Sequence, residues 1–165
     1  MIEIKFGTLR DVPEITDLFN YYILNTNARF EEQVFSYENR TQWFAQFCRS
    51  SKYQLYVAVE HEKLLGFACS QQYRSSCAFN DTVEVTIYLS KAVKGKGIGS
   101  LLYGHLLSEL KKQAVHRALS GIALPNDASL ALHRKFGFKQ VGIFDQYAKK
   151  HGSYISSVWL EKQFS

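Results

Sequence analysis

Apolar and polar residues alternate in some stretches of this chain and recur every three or four positions in others, and the two patterns divide it into strands and helices. Ile2-Glu3-Ile4-Lys5-Phe6 alternates as a half-buried strand does. Asp11-Val12-Pro13-Glu14 then opens a helix, with Asp11 as candidate cap and a proline in the first turn. Ile15, Leu18, Phe19 and Tyr22 share one face of it, and residues 37–48 predict a second helix buried through Trp43, Phe44 and Phe47. A hairpin follows over residues 54–60 and 64–71, turning at His61-Glu62-Lys63. After a polar loop at 75–81 comes a strand at 82–89, then a glycine-rich turn. Ile98, Leu101, Leu102, Leu106 and Leu110 next form a helical stripe. Residues 118–124 read as a strand and 128–136 as a helix, and two last strands fit 140–147 and 154–162. The strand–helix–strand stretch predicts a right-handed crossover between parallel neighbours, among strands otherwise joined by hairpins. The expected fold is a mixed α/β sheet with flanking helices. No linker, repeat or low-complexity segment interrupts the 165 residues, which predict one domain over 1–165.

Composition narrows the class. A chain of this length buries roughly two-thirds of its unfolded surface, and 46% hydrophobic with 15% aromatic residues excludes disorder. No run approaches the ~20 apolar residues of a membrane span, and residues 1–10 lack a signal-peptide core, so no membrane association is expected. Cys48, Cys69 and Cys77 are odd in number and lack CxxC spacing, which suggests neither a disulfide framework nor zinc and fits a reducing, cytosolic setting. The histidines lie apart, so no metal is expected. A net charge of +5 suits a polyanionic cofactor. The basic residues are spread along the chain apart from a cluster at 91–96, which is no nucleic-acid footprint.

That cluster holds the candidate chemistry. In Lys94-Gly95-Lys96-Gly97-Ile98-Gly99-Ser100 a basic, glycine-rich turn runs from a strand into a helix. Backbone N–H groups and the positive end of the helix dipole there bind phosphate. The spacing lacks the third glycine of a dinucleotide fingerprint, and Gly99-Ser100 is not the end of a nucleotide-triphosphate loop. Glu84, on the feeding strand, places a carboxylate near whatever a phosphorylated carrier delivers, although alternation with Val83 and Val85 also fits a solvent-facing glutamate. The combination points to a group-transfer enzyme.

The turn resembles the acetyl-coenzyme A loop of the GNAT superfamily of N-acetyltransferases, with Lys94 standing where glutamine or arginine is usual. A second signature follows in Asn126-Asp127-Ala128-Ser129 and Phe136-Gly137-Phe138. Over nearly the whole chain, Asn20-Tyr21-Tyr22-Ile23, Thr82-Val83-Glu84, Leu124-Pro125-Asn126-Asp127, Leu132-His133 and Lys150-His151-Gly152 resemble phosphinothricin and methionine sulfoximine acetyltransferases. The resemblance implies a mostly antiparallel sheet with two splayed central parallel strands. It implies that Ile87, Tyr88 and Leu89 hold the pantetheine arm of acetyl-coenzyme A, and that Lys94, Gly95, Lys96, Gly97, Ile98, Gly99 and Ser100 grip its pyrophosphate. Asn126 then bonds the cofactor's amide chain and Ser129 caps the following helix. Glu84 is the general base that draws a proton from a small amino-acid-like amine, and His133 is the second catalytic candidate, as acid or base. By the same resemblance Phe30, Tyr73, Arg74 and Tyr88 are the candidates for the acceptor pocket. Ser76 and Asn80 replace arginines common in related sequences, and Ile155-Ser156 replaces a polar pair, which bears on the acceptor. A cytosolic homodimer is implied. The competing functions are a protein or peptide acetyltransferase and a silent coenzyme A-binding or nucleic-acid-binding module.

Overall fold

In the strand predicted at 82–89, alternate side chains face opposite sides of a sheet, and each side has its own core. Val83 and Val85 are buried with Leu102, Leu106 and Leu110 of the glycine-turn helix, whereas Tyr88 packs with Ile15, Leu18 and Phe19 of the first helix. A computed structural model describes residues 1–93 and 95–164. Its strands are β1 (Glu3–Phe6), β2 (Leu55–Glu60), β3 (Lys63–Gln72), β4 (Thr82–Leu89), β5 (Arg117–Ala123), β6 (Lys139–Lys150) and β7 (Ser153–Gln163). The helices are α1 (Val12–Asn25), α2 (Tyr37–Phe44), α3 (Ile98–Lys111) and α4 (Asp127–Lys135). The sheet runs β1-β2-β3-β4-β5-β7-β6, with α1 and α2 over one face and α3 over the other. No helix among the described residues is long and apolar enough to cross a membrane.

Among the described residues only β4 and β5 pair in parallel, and the ladder has three rungs: Thr82↔Arg117, Val83↔Ala118 and Glu84↔Leu119. Beyond Glu84 each strand stays with its other neighbour. β4 follows β3 as far as Gly66↔Leu89, and β5 follows β7 as far as Ala123↔Ser157. The expected splay is therefore present, and it opens immediately after Glu84.

Local chemistry moves several boundaries. Asp11 stands at the N-cap position of α1, as expected, but its side chain makes no capping bond to that helix. Its carboxylate accepts from the Thr8 backbone N–H at 2.8 Å and hydroxyl at 3.2 Å, holding a short 3-10 turn ahead of the helix. The second helix stops at Phe44 rather than residue 48, while Phe47 still reaches the core through the following turn. Asn126, not Ser129, caps α4: its side-chain oxygen accepts from the Ser129 N–H at 3.1 Å. The last hairpin is longer than expected, and its strands pair up to Lys150↔Ser153.

The β2–β3 turn is strained. His61 and Glu62 have φ of 50° and 63°, the left-handed region that glycine or asparagine adopts most easily. Glu62→Gly is expected to stabilise the protein by about 1 kcal/mol, seen as a higher urea midpoint with an unchanged slope.

Candidate active site

Between the turn and the splay, three features meet. The turn ahead of α3 is built from left-handed glycines: Gly95 has φ +77° and Gly97, the residue that starts the helix, +75°. A Cβ at either would meet nothing within 4 Å, so these glycines are set by backbone conformation, and the space beside them is open. The 14-residue α3 presents its first N–H groups here. Gly99 differs from both. A Cβ there would come within 3.2 Å of Leu89 and 3.5 Å of Leu132, so it serves the packing of α3 against β4 and α4. Lys96 is exposed beside the turn, and Lys94 lies outside the described residues. The sequence reading missed Lys135, whose ammonium donates to the Ser100 hydroxyl at 2.8 Å and adds a cation to the start of α3.

The gap between β4 and β5 is a narrow slot of about 50 Å³, lined by Thr86, Ile87 and Tyr88 on one side and Ser120 to Ala123 on the other. Asn126, Ser129 and His133 close its end. Leu89 is not among the lining residues, and its carbonyl already accepts from the Tyr22 hydroxyl at 2.6 Å. A slot of strand edges leading from an open N–H cradle fits a long chain of amides with a phosphorylated end, which is the shape of coenzyme A.

His133 is 1% exposed, and both of its ring nitrogens are occupied. Nδ1 lies 2.7 Å from the Ser129 carbonyl, which can only accept, so Nδ1 carries the hydrogen and Nε2 accepts from the Tyr103 hydroxyl at 2.8 Å. Burial lowers the imidazole pKa, and the ring is held neutral. It therefore exchanges a proton only by giving up one of these bonds.

Glu84 lines a second, larger cavity of about 280 Å³ on the α1 side of the sheet. Burial raises its carboxyl pKa and the Arg29 guanidinium opposes that rise, the burial effect being the larger. Phe30 and Tyr88 line the same cavity, joined by Arg29, Glu31, Gln71, Tyr147 and Trp159. Tyr73 and Arg74 do not line it. Arg74 lies over the Tyr73 ring at 5.2 Å, and Tyr73 packs on Phe79 within its own loop. The basic group here is Arg29, which donates from Nε and Nη2 to Glu31 at 3.0 and 2.6 Å. Burial disfavours the Glu31 carboxylate, but the bonds from Arg29 outweigh it and leave the pKa below the ordinary value. Behind them Arg40 stacks on Phe35 at 3.7 Å, its pKa pushed down to about 10 by burial and by Arg29.

Arg29 precedes Phe30 in a loop with no regular spacing, so neither periodicity nor motif marked it. Trp159 shows a clearer signal: it sits opposite Gly121, where any Cβ would come within 2.6 Å of its ring.

An N–H cradle, a slot between diverging strands and a cavity with a raised carboxyl define an acyl-transfer enzyme with a phosphorylated carrier. The family model described as acetyltransferase (GNAT) domain matches residues 4–159, and the chain belongs to that family. It is an acetyl-coenzyme A-dependent acetyltransferase. The chain is 37% identical to a phosphinothricin N-acetyltransferase of Streptomyces coelicolor over 98% of this chain and 95% of that one. Among solved structures, a phosphinothricin acetyltransferase of Sinorhizobium meliloti in complex with acetyl-coenzyme A superimposes with a TM-score of 0.93 at 25% identity. The match covers 99% of this chain and 89% of that one. A ribosomal-protein-alanine N-acetyltransferase of Brucella melitensis gives 0.93 at 30% identity, covering 98% and 99%.

The Tyr103–His133 bond makes a checkable claim. Tyr103→Phe leaves a buried Nε2 without its donor and is expected to cost about 1–3 kcal/mol in denaturant unfolding.

Proposed function

We propose that the enzyme acetylates the amino group of a small amino-acid-like molecule, with Glu84 as general base. The observation that carries this reading is the position of Glu84: it occupies the last rung before β4 and β5 part, and lines the cavity that adjoins the slot. Acetyl-coenzyme A supplies an activated thioester. The backbone of Ile87 and Tyr88 and the side chain of Asn126 hold its amide arm, and the N–H groups from Gly97 to Ser100, with Lys96 and Lys135, hold its phosphates. Glu84 takes a proton from the incoming ammonium, directly or through water, and its burial-raised pKa improves it as a base. Arg29 binds the acceptor's anionic group with the donors that Glu31 does not use, and Phe30, Tyr88 and Tyr147 enclose the carbon chain. His133 holds Tyr103 and the start of α4 in register with the slot rather than carrying a proton itself.

The whole of 1–165 acts as one domain on this reading. Its outer strand β6 exposes Val141 (61%), Ile143 (54%), Phe144 (55%) and Tyr147 (47%), an apolar edge that a second copy would cover to give a homodimer. The free thiols of Cys48, Cys69 and Cys77 suit the cytosol.

A second reading, acetylation of a protein N-terminus, draws on the likeness to the Brucella enzyme. A thiol-release assay across amino acids, phosphinothricin, methionine sulfoximine and short peptides separates the two. Activity on the free molecules is expected, and activity confined to peptides would sink the first reading. Glu84→Gln is expected to lower kcat by about 10²-fold or more while acetyl-coenzyme A affinity stays within about twofold. Arg29→Gln is expected to raise acceptor KM about tenfold. It also removes the positive charge that holds the Glu84 pKa down, so the acid limb of the pH profile moves to higher pH. An acid limb that stays in place would remove Glu84 from the role of base.

A further inference from the structure

Lys150 ends β6 at the tight turn of the last hairpin, where His151 and Gly152 have φ of 48° and 79°. A lysine beside a turn ordinarily extends into water, yet this one is 3% exposed. Its Nζ donates to three backbone carbonyls: Ile23 at 2.6 Å, Thr26 at 2.8 Å and Arg29 at 2.8 Å. Among the described residues no carboxylate forms an ion pair with it. The neighbouring charges of Glu31 and Glu32 favour the ammonium, while burial and Arg29 disfavour it. Taking an ammonium out of water is costly unless all three donors are used, and here each has a carbonyl.

The three acceptors are placed informatively. Ile23 lies in the last turn of α1, where carbonyls lack helical partners. Thr26 and Arg29 mark the start and middle of the loop that leaves it. One residue beyond the lysine, the His151 N–H donates to Glu32 at 2.6 Å, tying the same loop again just past Arg29. Between these ties lie Arg29, Phe30 and Glu31, all lining the Glu84 cavity, whereas Lys150 does not line it. The stretch around Arg29 has no regular secondary structure and is tied to the hairpin turn, while Asn20 of α1 holds Phe35 further along the loop.

We propose that Lys150 is the positioning residue of the acceptor site: its buried ammonium gathers the carbonyls of Ile23, Thr26 and Arg29 and sets the loop that presents Arg29 and Phe30 to the cavity. This rests on the acceptor cavity assigned above. Lys150 acts through Arg29 and touches neither the thioester slot nor the glycine turn. Its loss therefore affects one substrate and spares the other.

The test is steady-state kinetics on Lys150→Met with an acceptor found active in the substrate panel. Acceptor KM is expected to rise about tenfold, with acetyl-coenzyme A KM within about twofold and kcat falling less than KM rises. In the Arg29→Gln background, Lys150→Met should add no more than about twofold to acceptor KM, because the two act through one contact. If Lys150→Met does not fold, Lys150→Gln, which keeps two donors without the charge, is read the same way. An unchanged acceptor KM, equal increases in both KM values, or a loss of kcat alone would overturn the proposal. So would full additivity with Arg29→Gln. If Arg29→Gln by itself leaves acceptor KM unchanged, the acceptor cavity assignment fails and Lys150 with it. A response to Arg29→Gln but not to Lys150→Met overturns the lysine alone.

Discussion

The parting of β4 from β5 after three rungs is the constraint on which the rest of this molecule depends. A parallel pair that continued would satisfy the facing N–H and C=O groups of both strands and leave no opening in the sheet. Here each strand is held over its full length from its outer side, β4 by β3 and β5 by β7. The right-handed twist that adjacent strands accumulate then draws the inner edges apart. The edges beyond Glu84 are left seeking partners, and the amides of coenzyme A's arm are partners of the right kind. The first turn of α3 packs on the end of β4, a Cβ at Gly99 coming within 3.2 Å of Leu89, so its free N–H groups lie close to the diverging strands.

Alternation along β4 sorts its side chains between the two faces of the sheet. Val83 and Val85 anchor the strand to the core under α3, with Ile87 and Leu89 packed against that core. Glu84, Thr86 and Tyr88 face the α1 side and line the larger cavity. A shift of one residue in the β3–β4 register would turn the Glu84 side chain toward the core under α3 and the Val85 side chain toward α1. Seven consecutive rungs, from Gln72↔Val83 to Gly66↔Leu89, specify against that shift. A charged group at the fork is thus secured by an extended hydrophobic pattern, not by a contact of its own.

How much of this was legible in the sequence follows from where each signal resides. β4 was placed at its observed bounds because its period-2 pattern runs unbroken from Val83 to Leu89 and stops at polar Ser90-Lys91. The glycine turn and Glu84 were legible because each stands in a local motif. Arg29, Trp159 and Lys150 were not read as parts of the site because they reach it from a loop and the last hairpin, and single-chain spacing carries no information about such meetings. Arg74 was favoured as the only basic side chain of the loop before β4, yet that loop packs upon itself through Tyr73 and Phe79. The cap of α4 was misassigned, and Asp11 holds its cap position without the expected bond, for a related reason. Asp11 and Ser129 are both good capping types, and the bonds their side chains make depend on backbone angles that the sequence leaves open.

If Glu84 is the base and Arg29 the anion site, the cavity's electrostatics would couple binding to reactivity. Arg29 lowers the Glu84 pKa while burial raises it, and Glu31 shares the guanidinium. On the proposed assignment, an acceptor brings an anionic group to Arg29 and an ammonium toward Glu84. The anion offsets the guanidinium charge, so the pull that held the Glu84 pKa down weakens as the acceptor seats. Further loss of water from the cavity acts in the same direction. On this assignment the carboxylate becomes a stronger base as the acceptor's anion draws on Arg29, which Glu31 already shares in the free enzyme. An amine without the anionic group would leave Arg29 free to hold the Glu84 pKa down. The cavity would then discriminate through basicity as well as through fit, and Arg29 would contribute to turnover although it does not touch the reacting nitrogen.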